Sequence, residues 1–128
     1  MNNFEQVIDY IFTNKPELIS EIDLCRVAED PRVTWTLISM YPQYLFNKFT
    51  SANPNITMDI VLDHKQYEWY MPFLSLNNSI TWNDVISHPE LEWDYEGLSQ
   101  NDNIGWDIIQ KNLDKPWNWI SIYQKPTL

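Results

Sequence analysis

Three stretches of the chain share one pattern at a fixed spacing and decide its fold: NPNITMDIV at 53–61, NNSITWNDV at 77–85 and NDNIGWDII at 101–109. The asparagines that open them are evenly spaced, and a related stretch opens upstream at Asp30, one position short of the same spacing. Their spacing of about 24 residues lies within the range of about 20–50 residues that is typical of repeat proteins. The sequence therefore predicts four tandem units, which start near residues 30, 53, 77 and 101.

Each unit is predicted to contain two short helices. Thr34, Thr57 and Thr81 stand directly before apolar residues at helical spacing, where a side-chain oxygen caps a helix, whereas the fourth unit has Gly105 there. A second helix is expected to open near Leu91 and at Pro116, because proline is tolerated in a first helical turn. This second helix is expected to carry a column of tryptophans, namely Trp69, Trp93 and Trp117.

The period also predicts how these helices are stabilised. Isolated helices shorter than about 12 residues are marginal in water, so neighbouring units must stack to bury their apolar faces. The predicted fold is all-α, a short α-solenoid of about four two-helix repeats of 23–24 residues, with the tryptophan and isoleucine columns in its core. A β-solenoid or propeller blades remain the alternative, because Val, Ile, Thr and Trp also favour strands.

Residues 1–29 are predicted to form a helical cap on this array. Apolar residues recur at helical spacing from Phe4 to Phe12, which predicts an amphipathic helix with Glu5 and Asp9 on its solvent face. A second cap helix is expected over residues 18–27 and would bury Cys25. The chain is thus predicted to be one domain, with a cap at 1–29, repeats at 30–124 and a tail at 125–128.

Composition excludes several classes of function. The 128 residues include 18 Asp and Glu but only 8 Lys and Arg, which gives a formal net charge of −10, and the basic residues are scattered singly. Binding to nucleic acid or to an anionic membrane requires a basic surface, so neither partner is expected. Only two glycines are present, which excludes a glycine-rich phosphate loop. The N-terminus lacks the features of a secretion signal, so an intracellular protein is expected.

No catalytic or cofactor-binding residues are predicted, and the chain is expected not to be an enzyme. His64 and His88 occupy the same position in successive units, so a metal pair is one interpretation and helix termination the other. Cys25 lies among apolar residues, which is typical of an inert thiol rather than a nucleophile.

Two groups of residues are the candidate binding surfaces. Glu90, Glu92, Asp94 and Glu96 form the densest acidic cluster, and we expect a solvated edge there that attracts a basic partner; Ca²⁺ binding or acid–base chemistry is the alternative. The C-terminal end carries the apolar residues Trp117, Trp119, Ile120, Ile122 and Tyr123 without a polar capping helix, and Trp119, Ile122 and Tyr123 are the candidate binding residues. An uncapped repeat array exposes an apolar face, so this end is expected to dock on a partner or on a second copy.

The stretches NPNITMDIV (53–61), NIGWDII (103–109) and DKPWNW (114–119) resemble the repeats of a family encoded by giant DNA viruses of the mimivirus type. The resemblance covers about residues 30–124. It departs from the family pattern at Met58, which replaces the first tryptophan, and at Asp84, which lies in an aliphatic column. It implies expression inside an infected host cell and a scaffolding or binding role, and it brings no catalytic residues.

The sequence therefore predicts a non-catalytic helical repeat protein that mediates protein–protein interaction. A self-associating structural protein packaged in the virion is the alternative. The expected location is the cytoplasm of the host cell, or the virion.

Overall fold

A computed structural model describes all residues, 1–128, and contains helices and turns but no strand. The predicted all-α class is confirmed. The α-helices in chain order are α1 (Asn3–Asn14), α2 (Leu24–Glu29), α3 (Trp35–Met40), α4 (Pro42–Leu45), α5 (Met58–Asp63), α6 (Met71–Leu76), α7 (Trp82–Ser87), α8 (Tyr95–Gln100), α9 (Trp106–Ile109) and α10 (Trp119–Tyr123). Two 3₁₀ helices, η1 (Pro16–Glu21) and η2 (Lys48–Ala52), complete the set.

The repeated sequence pattern correctly predicts where four helices begin. Helices α3, α5, α7 and α9 start directly after Thr34, Thr57, Thr81 and Gly105. The Thr57 hydroxyl accepts a hydrogen bond from the backbone N–H of Ile60, and Thr81 forms a complete capping box with Asp84. Thr34 also precedes a helix but makes no capping bond, because its hydroxyl donates to Glu5 instead. The predicted caps are therefore confirmed at Thr57 and Thr81 only.

The predicted starts of the second helices are wrong. Helices α8 and α10 begin at Tyr95 and Trp119, not at Leu91 and Pro116, and the side chains of Asp94 and Asn118 cap them. The tryptophans before them lie in the connecting loops. Each indole N–H donates to the carbonyl five residues earlier, Trp93 to His88 at 2.9 Å and Trp117 to Asn112 at 2.7 Å. This bond closes the loop and fixes the tryptophan outside the helix.

Five helices contact one another in chain order: α2 with η2, η2 with α6, α6 with α8, and α8 with α10. We call these five the second helices, and each of them one layer of the row. The predicted cap helix over 18–27 is instead two helices, η1 and α2, and α2 packs on η2 as η2 packs on α6.

Buried asparagine side chains join these layers through hydrogen bonds that recur from unit to unit. The Nδ2 atom of Asn77 donates to the carbonyls of Ser51 and Asn53, both at 2.9 Å. The same bonds run from Asn53 to Ala28 and Asp30, and from Asn101 to Ser75 and Asn77. The Oδ1 atom of each asparagine accepts the N–H of the residue two positions later. An amide carries both donors and acceptors, so one side chain satisfies several buried backbone groups.

A row of buried serines makes a second connection between layers. The Oγ atoms of Ser51, Ser75 and Ser99 accept hydrogen bonds of 2.8–2.9 Å from backbone N–H groups 19 residues later. All three serines are fully buried. Only a small side chain fits here, because the next segment of backbone passes directly over the hydroxyl.

The core consists of aliphatic columns rather than tryptophans. Its fully buried members include Val33, Ile56, Ile80 and Ile104, one from each repeated segment. Trp117 is buried, but Trp106 is 47% exposed and the other column members are intermediate. The predicted burial of the isoleucine column is therefore confirmed, whereas among the tryptophans of the two columns only Trp117 is buried and most of the other rings lie at the border of the core.

The N-terminal helix α1 forms as predicted, but two of its residues differ from expectation. The pattern places Glu5 on the solvent face, yet it is buried and accepts hydrogen bonds from the Thr34 backbone N–H and hydroxyl. The pattern places Val7 on the apolar face, yet it is 56% exposed.

The predicted burial of Cys25, on α2, is also wrong. Its side chain is exposed, because α2 buries Val27 and Ala28 instead.

Residues 125–128, predicted as a tail, continue the asparagine pattern. Lys125 stands 24 residues after Asn101, is buried, and donates from Nζ to the carbonyls of Ser99 and Asn101 at 2.8 and 2.9 Å. Lys125 therefore takes the asparagine position at the C-terminal end of the row of buried amides and donates to the same kind of carbonyls.

Candidate binding surfaces

Two aromatic clefts lie next to each other on the surface of the molecule. The Trp82 cleft, of about 510 Å³, is lined by Trp82, Val85, Trp93, Tyr95 and Lys115. The Trp69 cleft, of about 330 Å³, is lined by Val61, Lys65, Tyr67, Trp69 and Met71. Both clefts are also lined by Glu90, Leu91 and Glu92, so one ridge separates them and belongs to both.

The two clefts are the same feature in successive units. Trp69 and Trp93 occupy equivalent positions and are held by the same bond, from the indole N–H to the carbonyls of His64 and His88. Val61 and Val85 are equivalent in the same way, on α5 and α7. The 24-residue period of the sequence therefore places equivalent side chains in the two clefts.

The structure does not keep the predicted acidic cluster together. Glu90 and Glu92 lie on the ridge between the clefts and are exposed. Asp94 accepts the N–H of Gly97 and so caps α8. Glu96 lines a separate polar groove with Gln100 and Asp102 beside α10. Of the four predicted acidic residues, only Glu90 and Glu92 therefore line the aromatic clefts.

Glu90 is held in its ionised form. A backbone hydrogen bond lowers the pKa of the Glu90 carboxyl below its ordinary value, and the His88 ring and the charge of Lys65 lower it further. The Nδ1 atom of His88 lies 3.2 Å from the Glu90 carboxylate. The ridge therefore presents negative charge at neutral pH.

The histidines take different local contacts. The His64 ring packs against Trp35 with ring centroids 4.7 Å apart, whereas His88 pairs with Glu90. No group of three or more His, Cys, Asp or Glu side chains is arranged to hold a metal ion.

The C-terminal surface differs from the prediction at one residue. Trp119 and Tyr123 are exposed, at 48% and 79%, but Ile122 is buried. Its predicted exposure is wrong because Ile122 takes the core position that Leu98 fills in the preceding unit. That equivalence is visible in the repeat register of the sequence and could have identified Ile122 as a core residue.

Two further residues lie on this surface, Ile120, which the sequence pattern placed there, and Trp106, which it did not. Ile120 is 67% exposed and lies between Trp119 and Tyr123 on α10. Trp106 is exposed as well, and its ring lies 6.4 Å from that of Trp119. We call Trp106, Trp119, Ile120 and Tyr123 the α10 face.

The chain matches no protein-family model, no curated protein sequence and no solved structure. None of its helices combines the length and the apolar character needed to cross a membrane.

Proposed function

We propose that this chain is a non-catalytic α-solenoid of four tandem two-helix units that binds a basic segment of a protein partner in its aromatic clefts. The buried amide bonds that recur every 24 residues support the solenoid. The shared ridge of Glu90, Leu91 and Glu92 between two equivalent clefts is the observation that carries the binding role.

The chemistry of the ridge selects for cations. An arginine side chain at the ridge reaches a carboxylate of Glu90 or Glu92 while its planar group stacks on an aromatic ring such as Trp93. Lys65 lines the Trp69 cleft and Lys115 lines the Trp82 cleft, whereas the carboxylates of Glu90 and Glu92 lie on the ridge that both clefts share. The net charge of −10 adds long-range attraction for a basic partner.

The test is a titration of the protein with a peptide of alternating arginine and glycine, followed by tryptophan fluorescence. Wild type is expected to bind, and the double variant Glu90→Lys with Glu92→Lys is expected to lose about tenfold or more in affinity. The matched control is Glu17→Lys with Glu21→Lys, which changes the net charge equally at exposed positions on η1.

Equal losses in the two double variants would show that only net charge matters and would contradict the cleft assignment. Absence of any tryptophan signal on binding would contradict it as well. High salt should weaken binding, because the ridge is exposed and its charges are screened.

We also propose a viral origin and an intracellular location, in the host cytoplasm or the virion. The resemblance of the 53–61 and 103–109 stretches to giant-virus repeats supports both. Mass spectrometry of purified virions, compared with pull-down from infected cells, tests where the protein resides.

The second candidate function is self-association as a structural protein. The α10 face supports it, because four large apolar or aromatic side chains are exposed together near one end of the row of contacting helices. Apolar patches of this kind on an otherwise charged protein are typical of interaction sites.

A further inference from the structure

The ring of Trp93 has different contacts from the rings of the two other tryptophans in its column. Trp69 packs against Trp35 with ring centroids 5.9 Å apart, and Trp117 packs against Trp82 at 5.6 Å. In both pairs the second ring belongs to the preceding unit of the repeat. Trp93 takes part in no ring pair, although the same hydrogen bond fixes its indole. Its ring therefore lacks the aromatic partner that the repeat otherwise supplies.

One replacement in the repeat accounts for this difference. Met58 occupies the position that holds Trp35 in the unit before it and Trp82 in the unit after it. By the register of the other two pairs, a ring at position 58 would be the partner of Trp93. Met58 has no ring, and Trp93 stays half-buried in the wall of the Trp82 cleft, together with Trp82 and Tyr95. The replacement therefore leaves the Trp93 ring available to a ligand in this cleft.

The polar groups around Trp93 indicate which ligand its ring can take. Its indole N–H is already bonded to the His88 carbonyl at 2.9 Å, so the side chain presents only the face of its ring. The Glu92 carboxylate is exposed on the ridge and makes no hydrogen bond within the chain. Ring faces attract cations, and free carboxylate oxygens accept N–H groups. A guanidinium group satisfies both because it is planar and carries a fork of N–H donors, whereas an ammonium is a compact point charge.

The Trp82 cleft keeps a surplus of negative charge. Glu90 and Glu92 line it from the ridge, and Lys115 lines it as well. The charge of Lys115 is offset, because its Nζ atom lies 3.6 Å from the carboxylate of Asp114. The two ridge carboxylates are therefore left to attract a cation into this cleft.

The Trp69 cleft is less suited to a cation. Lys65 lines it and makes no ion pair, and its charge adds to a backbone hydrogen bond in lowering the pKa of Glu90. The Trp69 ring already packs against Phe46, with ring centroids 4.9 Å apart, as well as against Trp35. An incoming cation would therefore meet an unpaired ammonium group and a ring that two other rings contact.

We propose that the Trp82 cleft is an arginine site, in which the guanidinium group of the partner stacks on Trp93 and donates hydrogen bonds to Glu92. Met58 determines this specificity, because a tryptophan at its position would cover the ring. The inference rests on the proposed binding of a basic segment. It assigns the cation of that segment to one of the two clefts, and to arginine rather than lysine.

The first experiment tests the preference for arginine. Two peptides of equal length and charge, in which glycine alternates with arginine or with lysine, are titrated and followed by tryptophan fluorescence. Wild type is expected to bind the arginine peptide at least about fivefold more tightly than the lysine peptide. Met58→Trp copies the residue of the neighbouring units and leaves the charge unchanged. It should reduce the preference to about twofold or less, because the new ring packs against Trp93.

The second experiment tests the location and does not depend on the folding of that variant, because it changes exposed positions only. Ile86→Lys adds one positive charge in the Trp82 cleft, at a side chain that is 57% exposed. Gln66→Lys adds the same charge at an exposed position between two residues that line the Trp69 cleft. Affinity for the arginine peptide is expected to fall about fivefold or more in the first variant and about twofold or less in the second.

The outcomes separate the arginine site from the proposed function. A wild type that binds neither peptide would overturn both. Equal affinity for the two peptides, or equal losses in Ile86→Lys and Gln66→Lys, would leave the binding of basic segments standing and overturn the arginine site. A Met58→Trp variant that keeps both its helical circular dichroism and the full preference would overturn it as well. If that variant loses its helical signal, the Ile86→Lys and Gln66→Lys pair decides alone.

Discussion

At the scale of single residues, the repeated positions are fixed by what each side chain must satisfy. Asparagine recurs because a buried amide both donates and accepts, and serine recurs because a backbone passes over it. Gly97 is a special case among the second helices. A Cβ atom there would lie 2.8 Å from the Pro72 carbonyl oxygen and 3.0 Å from the Ser75 Cβ, so α8 approaches α6 more closely than a side chain allows.

Gly97→Ala is therefore expected to destabilise the fold by about 1–3 kcal/mol, although alanine favours a helix more than glycine does. The steric clash is with backbone and a fixed Cβ, which cannot move without shifting α6. Urea unfolding measures the effect. The control is Gly105→Ala, whose Cβ would meet only the flexible Asp107 carboxylate at 3.0 Å. Because Gly105 is the N-cap of α9, where glycine is preferred over alanine, this replacement should cost about 0.5–1 kcal/mol through the cap and nothing through a clash with backbone. A Gly97→Ala variant as stable as wild type would contradict the close approach.

At the scale of elements, α1 is held to the first unit by a buried carboxylate. The Glu5 Oε2 atom accepts hydrogen bonds from the Thr34 backbone N–H at 3.0 Å and hydroxyl at 2.7 Å, and Oε1 accepts the Asn2 N–H. Burial raises the pKa of Glu5, but the hydrogen bonds from Thr34 and Asn2 outweigh it and hold the pKa below the ordinary value of 4.5. The folded state therefore favours the ionised form.

The sign of the pH dependence follows from that direction. Because the folded pKa of Glu5 is lowered, its contribution to stability is complete above pH 4.5 and is lost as the pH falls through the folded pKa. Glu5→Gln is expected to cost about 1–3 kcal/mol at neutral pH, and the difference from wild type should shrink below pH 4.5. Hydrogen exchange in α1 should rise in the variant.

Glu17→Gln provides the control for this titration. Glu17 is exposed on η1, so its replacement should leave both stability and its pH dependence nearly unchanged. A wild-type minus Glu5→Gln difference that stays constant from neutral to acidic pH would contradict the role of the ionised carboxylate.

At the scale of the whole molecule, stability depends on bonds between layers rather than within helices. The α-helices that follow α1 are no more than six residues long, too short to persist alone in water. The buried amides, the serines and the aliphatic columns connect each layer to the next. Damage to one amide in the middle of the row should therefore affect the layers on both sides.

Asn77→Asp tests this coupling. The replacement has the same shape but turns the donor toward the carbonyls of Ser51 and Asn53 into a second acceptor, and it buries a charge. The expected loss is about 3 kcal/mol or more, measured by chemical unfolding. Because burial disfavours the new carboxylate, the variant should regain stability relative to wild type as the pH is lowered.

The matched control is the reverse change at the start of the same row. Asp30 occupies the equivalent position, but its carboxylate accepts hydrogen bonds from Arg32, at 2.8 Å from Nη2, near solvent and makes no bond to an earlier part of the chain. Asp30→Asn should therefore cost about 1 kcal/mol or less. Equal losses at positions 30 and 77 would show that the row of amides does not couple the layers.

The sequence by itself determined what depends on local spacing. The repeat period, the helices after Thr57 and Thr81, the amphipathic α1 and the all-α class all follow from patterns that are visible along the chain. Of the candidate surfaces, Trp119 and Tyr123 were identified as exposed, and Glu90 and Glu92 as acidic and solvated.

The tertiary structure alone decided what depends on the neighbouring layer. The burial of Glu5 comes from Thr34, 29 residues away, and that of Lys125 from carbonyls 24 and 26 residues earlier. The separation of Glu96 from Glu90 and the formation of the aromatic clefts likewise follow from how successive layers pack. Such partners have no signal in local hydrophobicity or charge, because a side chain's burial is set by the chain that covers it.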